Sequence, residues 1–239
     1  PVRFRLTVQP DVPPVPEPPI LAPRDQPAAP GIIMMLHGDK LSYTGKTIAA
    51  AESELVDGRL PETLGGLCVY FGETRAPIIA VGPKAVAVQV PPGLEPGAVA
   101  VRGVNSCGTD APLTGEPIQI QIAETAPAFF YTSSGGDNIV VAHPGADGRI
   151  RIYLTGLGLP DPVPAAGLLP TEPLPVKPPV YVWLQGQELT PEQIPLAAWA
   201  PRAEGWAPLR LPAVFGDTPL LAPGLAVIEI VAPSGIGDE

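Results

Sequence analysis

Apolar and polar residues alternate in short runs along this chain, and the sharpest alternation lies at its start. Val2, Phe4, Leu6 and Val8 fall on one face, and Arg3, Arg5, Thr7 and Gln9 fall on the other. That period of two marks a strand with one buried face. The Ile-Gln-Ile-Gln-Ile run at 118–122 repeats the pattern. Elsewhere short Val/Ile/Leu runs are punctuated by Pro and Gly, as in an all-β chain. Helical periodicity is nearly absent, and only residues 48–55 could form a short helix.

The runs recur in order. The stretch at 31–38 lines up with 149–156, and the Leu-Cys-Val-Tyr-Phe run at 67–71 with Val-Tyr-Val-Trp-Leu at 180–184. Residues 86–91 align with 207–212, and Pro96-Gly97 with its following strand aligns with Pro223-Gly224 and residues 225–231. A repeat of about 100 residues, built from short strands and Pro/Gly turns, predicts an immunoglobulin-like sandwich. The expected fold is all-β, with two tandem immunoglobulin-like sandwiches at 30–125 and 126–239. An N-terminal donor-like strand at 1–9 and an extended proline-rich linker at 10–29 precede them. The first unit closes with the strand at 118–122. The second stops near Val231 before any such strand, so residues 2–8 are expected to complete it, in the same molecule or in a neighbour.

Composition narrows the function. Among 239 residues are 36 prolines and 26 glycines, yet 45% are hydrophobic, enough for a real core. The Pro-rich stretch from residue 13 to 19 predicts stiff polyproline II. A net charge of −10 argues against nucleic acid and anionic membranes as partners. No apolar run reaches the ~18 residues of a membrane span. A chain beginning at Pro1 reads as a processed protein or a fragment. Cys68 and Cys107 would close a loop of about 40 residues, worth roughly 4 kcal/mol as a disulfide, in an oxidising compartment. Two unrelated buried thiols are the alternative.

The stretches at 60–66, 75–80, 86–91 and 125–130, with Tyr-Leu-Thr-Gly-Leu-Gly at 153–158 and Pro-Leu-Pro at 173–175, resemble the Solibacter-type extracellular C-terminal domain family. The resemblance covers about residues 20–232. It implies a secreted bacterial pair of sandwiches related to the IPT/TIG immunoglobulin-like fold, at the cell surface or outside the cell, and brings no catalytic residues. The short Gly-rich stretch at 133–137 and the region at 200–206 depart from the family pattern.

Catalytic chemistry is sparse. His37 and His143 accompany no nucleophile elbow, zinc-binding, Walker or dinucleotide motif, and both are expected to be structural. Asp137, Asn138 and Asp147 lack calcium-loop spacing, and two cysteines without nearby histidine offer no metal site. No enzyme, metal or cofactor is expected. Tyr181, Trp183, Trp199 and Trp206 could form a sugar-stacking platform; the plainer expectation places Trp183 in the core and the others against long loops or a subunit contact. The reading that follows is a homopolymer, an extracellular filament assembled head to tail. Val2, Phe4, Leu6 and Val8 would enter an acceptor groove lined by Leu209, Leu211, Ala226, Ile228 and Ile230 of the adjacent copy, by strand addition. The alternative is a monomeric secreted module that binds polysaccharide or a surface through the Trp-rich loops.

Overall fold

The computed structural model describes residues 15–134, 137–140, 142–144, 149–201 and 222–231. Within them the chain is all-β, with no α-helix and two short 3-10 turns, Glu52–Glu54 and Pro191–Gln193. The first turn takes the place of the helix allowed at 48–55. The donor-like strand at 2–8, with Leu209, Leu211 and Trp206, lies outside the described residues.

The N-terminal region carries ten strands: β1 (Ile20–Leu21), β2 (Ile33–Asp39), β3 (Ile48–Ala49), β4 (Cys68–Phe71), β5 (Thr74–Arg75), β6 (Ile78–Val81), β7 (Ala85–Gln89), β8 (Gly97–Asn105), β9 (Leu113–Thr114) and β10 (Ile118–Ile122). They make two antiparallel sheets, ordered β1-β2-β7-β6-β3 and β10-β8-β4-β5, with β9 also on β8. Met34 and Leu36 from the first sheet share one buried cluster with Val69, Phe71, Val101, Ile120 and Ile122 from the second. The disulfide Cys68–Cys107 ties β4 to the segment just after β8.

The C-terminal region carries β11 (Ala128–Phe129), β12 (Tyr131–Ser134), β13 (Asp137–Val140), β14 (Ala142–Pro144), β15 (Arg149–Thr155), β16 (Leu174–Pro175), β17 (Trp183–Leu184), β18 (Gln187–Glu188), β19 (Leu196–Trp199) and β20 (Ala226–Val231). Its main sheet runs β11-β15-β20-β19-β16, with β14 beside β11 on β15. This order reproduces β1-β2-β7-β6-β3. Ile33, Met34 and Leu36 of β2 pair with Gln89, Val88 and Val86 of β7. At the positions aligned by sequence, Arg151, Ile152 and Leu154 of β15 pair with Glu229, Ile228 and Ala226 of β20.

The match corrects the repeat. β20 is the counterpart of β7, whereas the sequence alignment set residues 225–231 against β8 and residues 207–212 against β7. Pro-Gly pairs precede both β8 and β20, and that local turn signal misled the alignment; inter-strand register decides it. The β17–β18 hairpin is the counterpart of β4–β5. Leu184 pairs with Gln187 as Phe71 pairs with Thr74, each across two residues. Gln185 and Gly186 both have positive φ (51° and 84°), the signature of a type I′ turn that suits the twist of paired strands. Among the described residues, β8 and β10 have no counterpart in the C-terminal region.

From Ile20 onward, the stretch expected as a linker is built into the N-terminal region. Ile20 and Leu21 pair with Asp39 and Gly38, and Leu21, Ala28 and Ala29 are core residues. Pro19 packs on Gly103 and Gly115, where any side chain at Gly115 would collide with the Pro19 carbonyl. Asn105 donates to the carbonyls of Glu17 (2.7 Å) and Lys40 (2.8 Å), and Lys40 also pairs with the Glu17 carboxylate.

The two regions meet at the other end of β2. The Ile33 amide donates to Thr155 Oγ1 (3.0 Å), which donates to the Gly224 carbonyl (3.3 Å). Buried Gln89 accepts from the Gly167 amide (2.7 Å) and donates to the Gly31 carbonyl (3.3 Å). Gly31 (φ +79°) lies against the Trp199 ring, 2.5 Å from where a Cβ would stand. Close approach there needs glycine.

Candidate functional site: an open apolar groove

Strand alternation sets the site's inner face. Val180, Val182 and Leu184 point inward and join the cluster of Leu154, Leu157, Ala226, Ile228 and Ile230, with Ile150 and Ile152 beside them. Tyr181 and Trp183 point outward. In the N-terminal region the matching inward residues Leu67, Val69 and Phe71 are fully buried, and so are Ile32 and Met34. Here Val180, Val182, Leu184, Ile150 and Ile152 are only half-buried.

The difference opens a groove of about 340 Å³ between β15 and the 178–183 segment. Ile152, Leu154, Val182 and Ile228 line it, with Phe129 and Trp183 among the residues at its rim. Of the expected acceptor residues, Ala226, Ile228 and Ile230 are buried in β20. β20 is paired on both sides, by β15 and β19, so these residues offer no free edge, and of the three Ile228 lines the groove. Among the described residues, no strand pairs with β17 on the side away from β18.

The aromatic residues sort differently from expectation. Trp183 is 59% exposed and Tyr181 63%, which corrects the placement of Trp183 in the core. Their ring centroids are 6.2 Å apart at a 37° tilt. Trp199 is buried at the junction, where its indole N–H donates to the Gly158 carbonyl (3.1 Å). Sequence reasoning missed this because its partners lie far along the chain.

On the opposite face of the sheet, buried Glu229 accepts from Arg151 (2.6 Å) and Arg149 (3.2 Å). Burial raises the Tyr153 phenol above its ordinary pKa, with Arg151 opposing and Glu229 adding to the shift. His143 packs edge-on against the Tyr153 ring at 5.5 Å. Among the described residues, no cluster of three or more His, Cys, Asp and Glu could hold a metal ion. No helix among them is long and apolar enough to cross a membrane. The disulfide fits an oxidising compartment.

No family model, curated protein or solved structure matches the chain.

Proposed function

We propose that the protein is a non-catalytic structural subunit of a secreted bacterial filament, built from two tandem immunoglobulin-like sandwiches. The groove of the C-terminal region takes the 2–8 segment of the next copy, and the copies polymerise head to tail. One observation carries the reading: Ile150, Ile152, Val180, Val182 and Leu184 are only partly buried where their counterparts in the same chain are buried. An incoming strand with Val2, Phe4, Leu6 and Val8 on one face has the alternation that such a groove selects. Burying apolar side chains of that size is worth roughly 1.5–3 kcal/mol each. The resemblance to the Solibacter-type extracellular family supports the secreted bacterial setting, as does the disulfide.

The anchoring of the arm favours donation between copies. Glu17 is fixed near Lys40, beyond the end of β2 far from the junction. From Ile33 to Asp39 is about 20 Å. Eight residues separate Glu17 from Val8, and the nine Cα–Cα steps span at most about 30 Å. A path to its own groove would spend most of that length passing β2. A neighbour's groove carries no such requirement, and a heterologous contact that does not close builds an open filament.

Phe4→Asp with Leu6→Asp in the full chain is the test, read by sedimentation and electron microscopy. Wild-type filaments and a monomeric variant are expected; long polymers of the variant would sink the proposal. The exposed Tyr181–Trp183 pair favours one second reading, a monomeric polysaccharide-binding module. For it, Trp183→Ala abolishes glycan binding in a chain that sediments as a monomer throughout.

A further inference from the structure

Resting on the strand-donation reading, we infer that the incoming segment pairs antiparallel with β17 along its open side. That side, away from β18, is unpaired among the described residues; Phe4 then stands opposite Val182, and Arg3 and Arg5 stack on Trp183 and Tyr181. The chain contains the template. In the N-terminal region the same side of β4 is paired antiparallel by β8, with Val69 opposite Gly103 and Tyr70 opposite Arg102. The Arg102 guanidinium lies 4.7 Å from the Tyr70 ring centroid, and Arg75 of β5 lies 5.5 Å from it. A cation held over an aromatic face gains from the ring's quadrupole, more so with a guanidinium and an indole.

Trp183 occupies the position of Tyr70. Its partner in β18 is Glu188, where Tyr70 has Arg75. The row across the strands would then read Arg3, Trp183, Glu188, with opposite charges flanking the indole. Tyr181 stands at the position of Cys68, two residues from Trp183, matching the spacing of Arg3 and Arg5. This register meets every alternation at once. Val2 faces Leu184, Phe4 faces Val182 and Leu6 faces Val180, so the apolar side of the incoming strand covers the three half-buried side chains on the groove wall. Phe4, the bulkiest of the four, enters at the centre, over Ile152 and Ile228. The aromatic pair thus selects a strand with alternating cations; residues 2–8 carry that pattern, and so do Arg149 and Arg151, but β15 is already paired on both sides.

The experiment uses full-length protein. Fluorescently labelled filaments are chased with unlabelled subunits, for wild type, Arg3→Ser with Arg5→Ser, Trp183→Leu, and the three changes combined. The expected result is subunit exchange about 10-fold faster in each variant, the size of one or two such contacts, with little added by the combination because both remove the same contact. Phe4→Cys paired with Val182→Cys should cross-link neighbouring copies on oxidation, and Phe4→Cys with Val180→Cys should not. Filaments exchanging at the wild-type rate in all variants, or cross-linking through Val180→Cys instead, would overturn this register and leave strand donation standing. A wild-type chain that never forms filaments would remove strand donation itself, and this inference with it.

Discussion

β4 and the 180–184 segment have the same alternation, a two-residue hairpin turn each and apolar inward residues at matching positions, yet β4 is sealed and the 180–184 wall is only partly buried. Leu67, Val69 and Phe71 are fully buried, because β8 pairs beside β4 and the first sheet closes over it. Val180 and Val182 meet a groove, and Leu184 beside them is only partly buried. On the outer face the contrast sharpens: Cys68 is clamped to Cys107 and Tyr70 is covered by Arg102, while Tyr181 and Trp183 stand exposed. The comparison teaches that one local sequence pattern supports two packing states, and what lies across the strand edge decides between them. Burial of the inner face is not encoded in the strand itself.

Truncation should break the symmetry most plainly. Phe71→Ala removes a fully buried ring and should cost about 3–5 kcal/mol in chemical denaturation. Leu184→Ala at the matching position should cost less, about 1–2 kcal/mol under conditions that keep the protein monomeric, since the side chain is only partly buried. Equal losses at the two positions would mean that the groove is closed in solution. Next in size is the disulfide. Cys68→Ala with Cys107→Ala frees a 39-residue separation and should cost about 2–4 kcal/mol. The loss should be confined to the N-terminal region, so hydrogen exchange should accelerate in β4 and β8 while β15 and β20 keep their protection.

Much of this contrast was legible in the chain, and the illegible parts share a cause. The strands at 31–38 and 149–156 could be aligned because alternation and a terminal glycine are local signals; Gly38 and Gly156 both admit a neighbouring carbonyl where any side chain would collide. The buried residues Ala226, Ile228 and Ile230 could be named from period two alone. The counterpart of β7 could not, because a Pro-Gly turn precedes both β8 and β20 and only pairing with β15 distinguishes them. The half-buried wall at Val180, Val182 and Leu184 escaped notice for the same reason. Its apolar residues read as core, and exposure depends on a neighbouring strand. Trp183 was misplaced with them. The junction through Gln89, Thr155 and Gly224 joins residues 58 to 122 apart in sequence, beyond any local pattern.

The smallest expected effect compares two buried polar residues at one register position, Gln89 and Glu229. Both sit on the central strand of their sheet, opposite Ile33 and Arg151 respectively. Gln89 is fully buried, and its amide satisfies a donor and an acceptor across the junction. Gln89→Ala leaves the Gly167 amide and Gly31 carbonyl without that partner, at a cost of about 1–3 kcal/mol that salt does not change. Glu229 instead meets two arginines that are each nearly half exposed, so solvent screens the pairing. Glu229→Gln retains shape and hydrogen-bonding capacity and should cost about 1 kcal/mol or less at low salt. The wild-type advantage over that variant should shrink as ionic strength rises past about 0.15 M, where the Debye length falls to about 8 Å. A salt-independent loss at Glu229 would show that the carboxylate acts as Gln89 does, through desolvated hydrogen bonds, and that the two sheets are alike on this face as well.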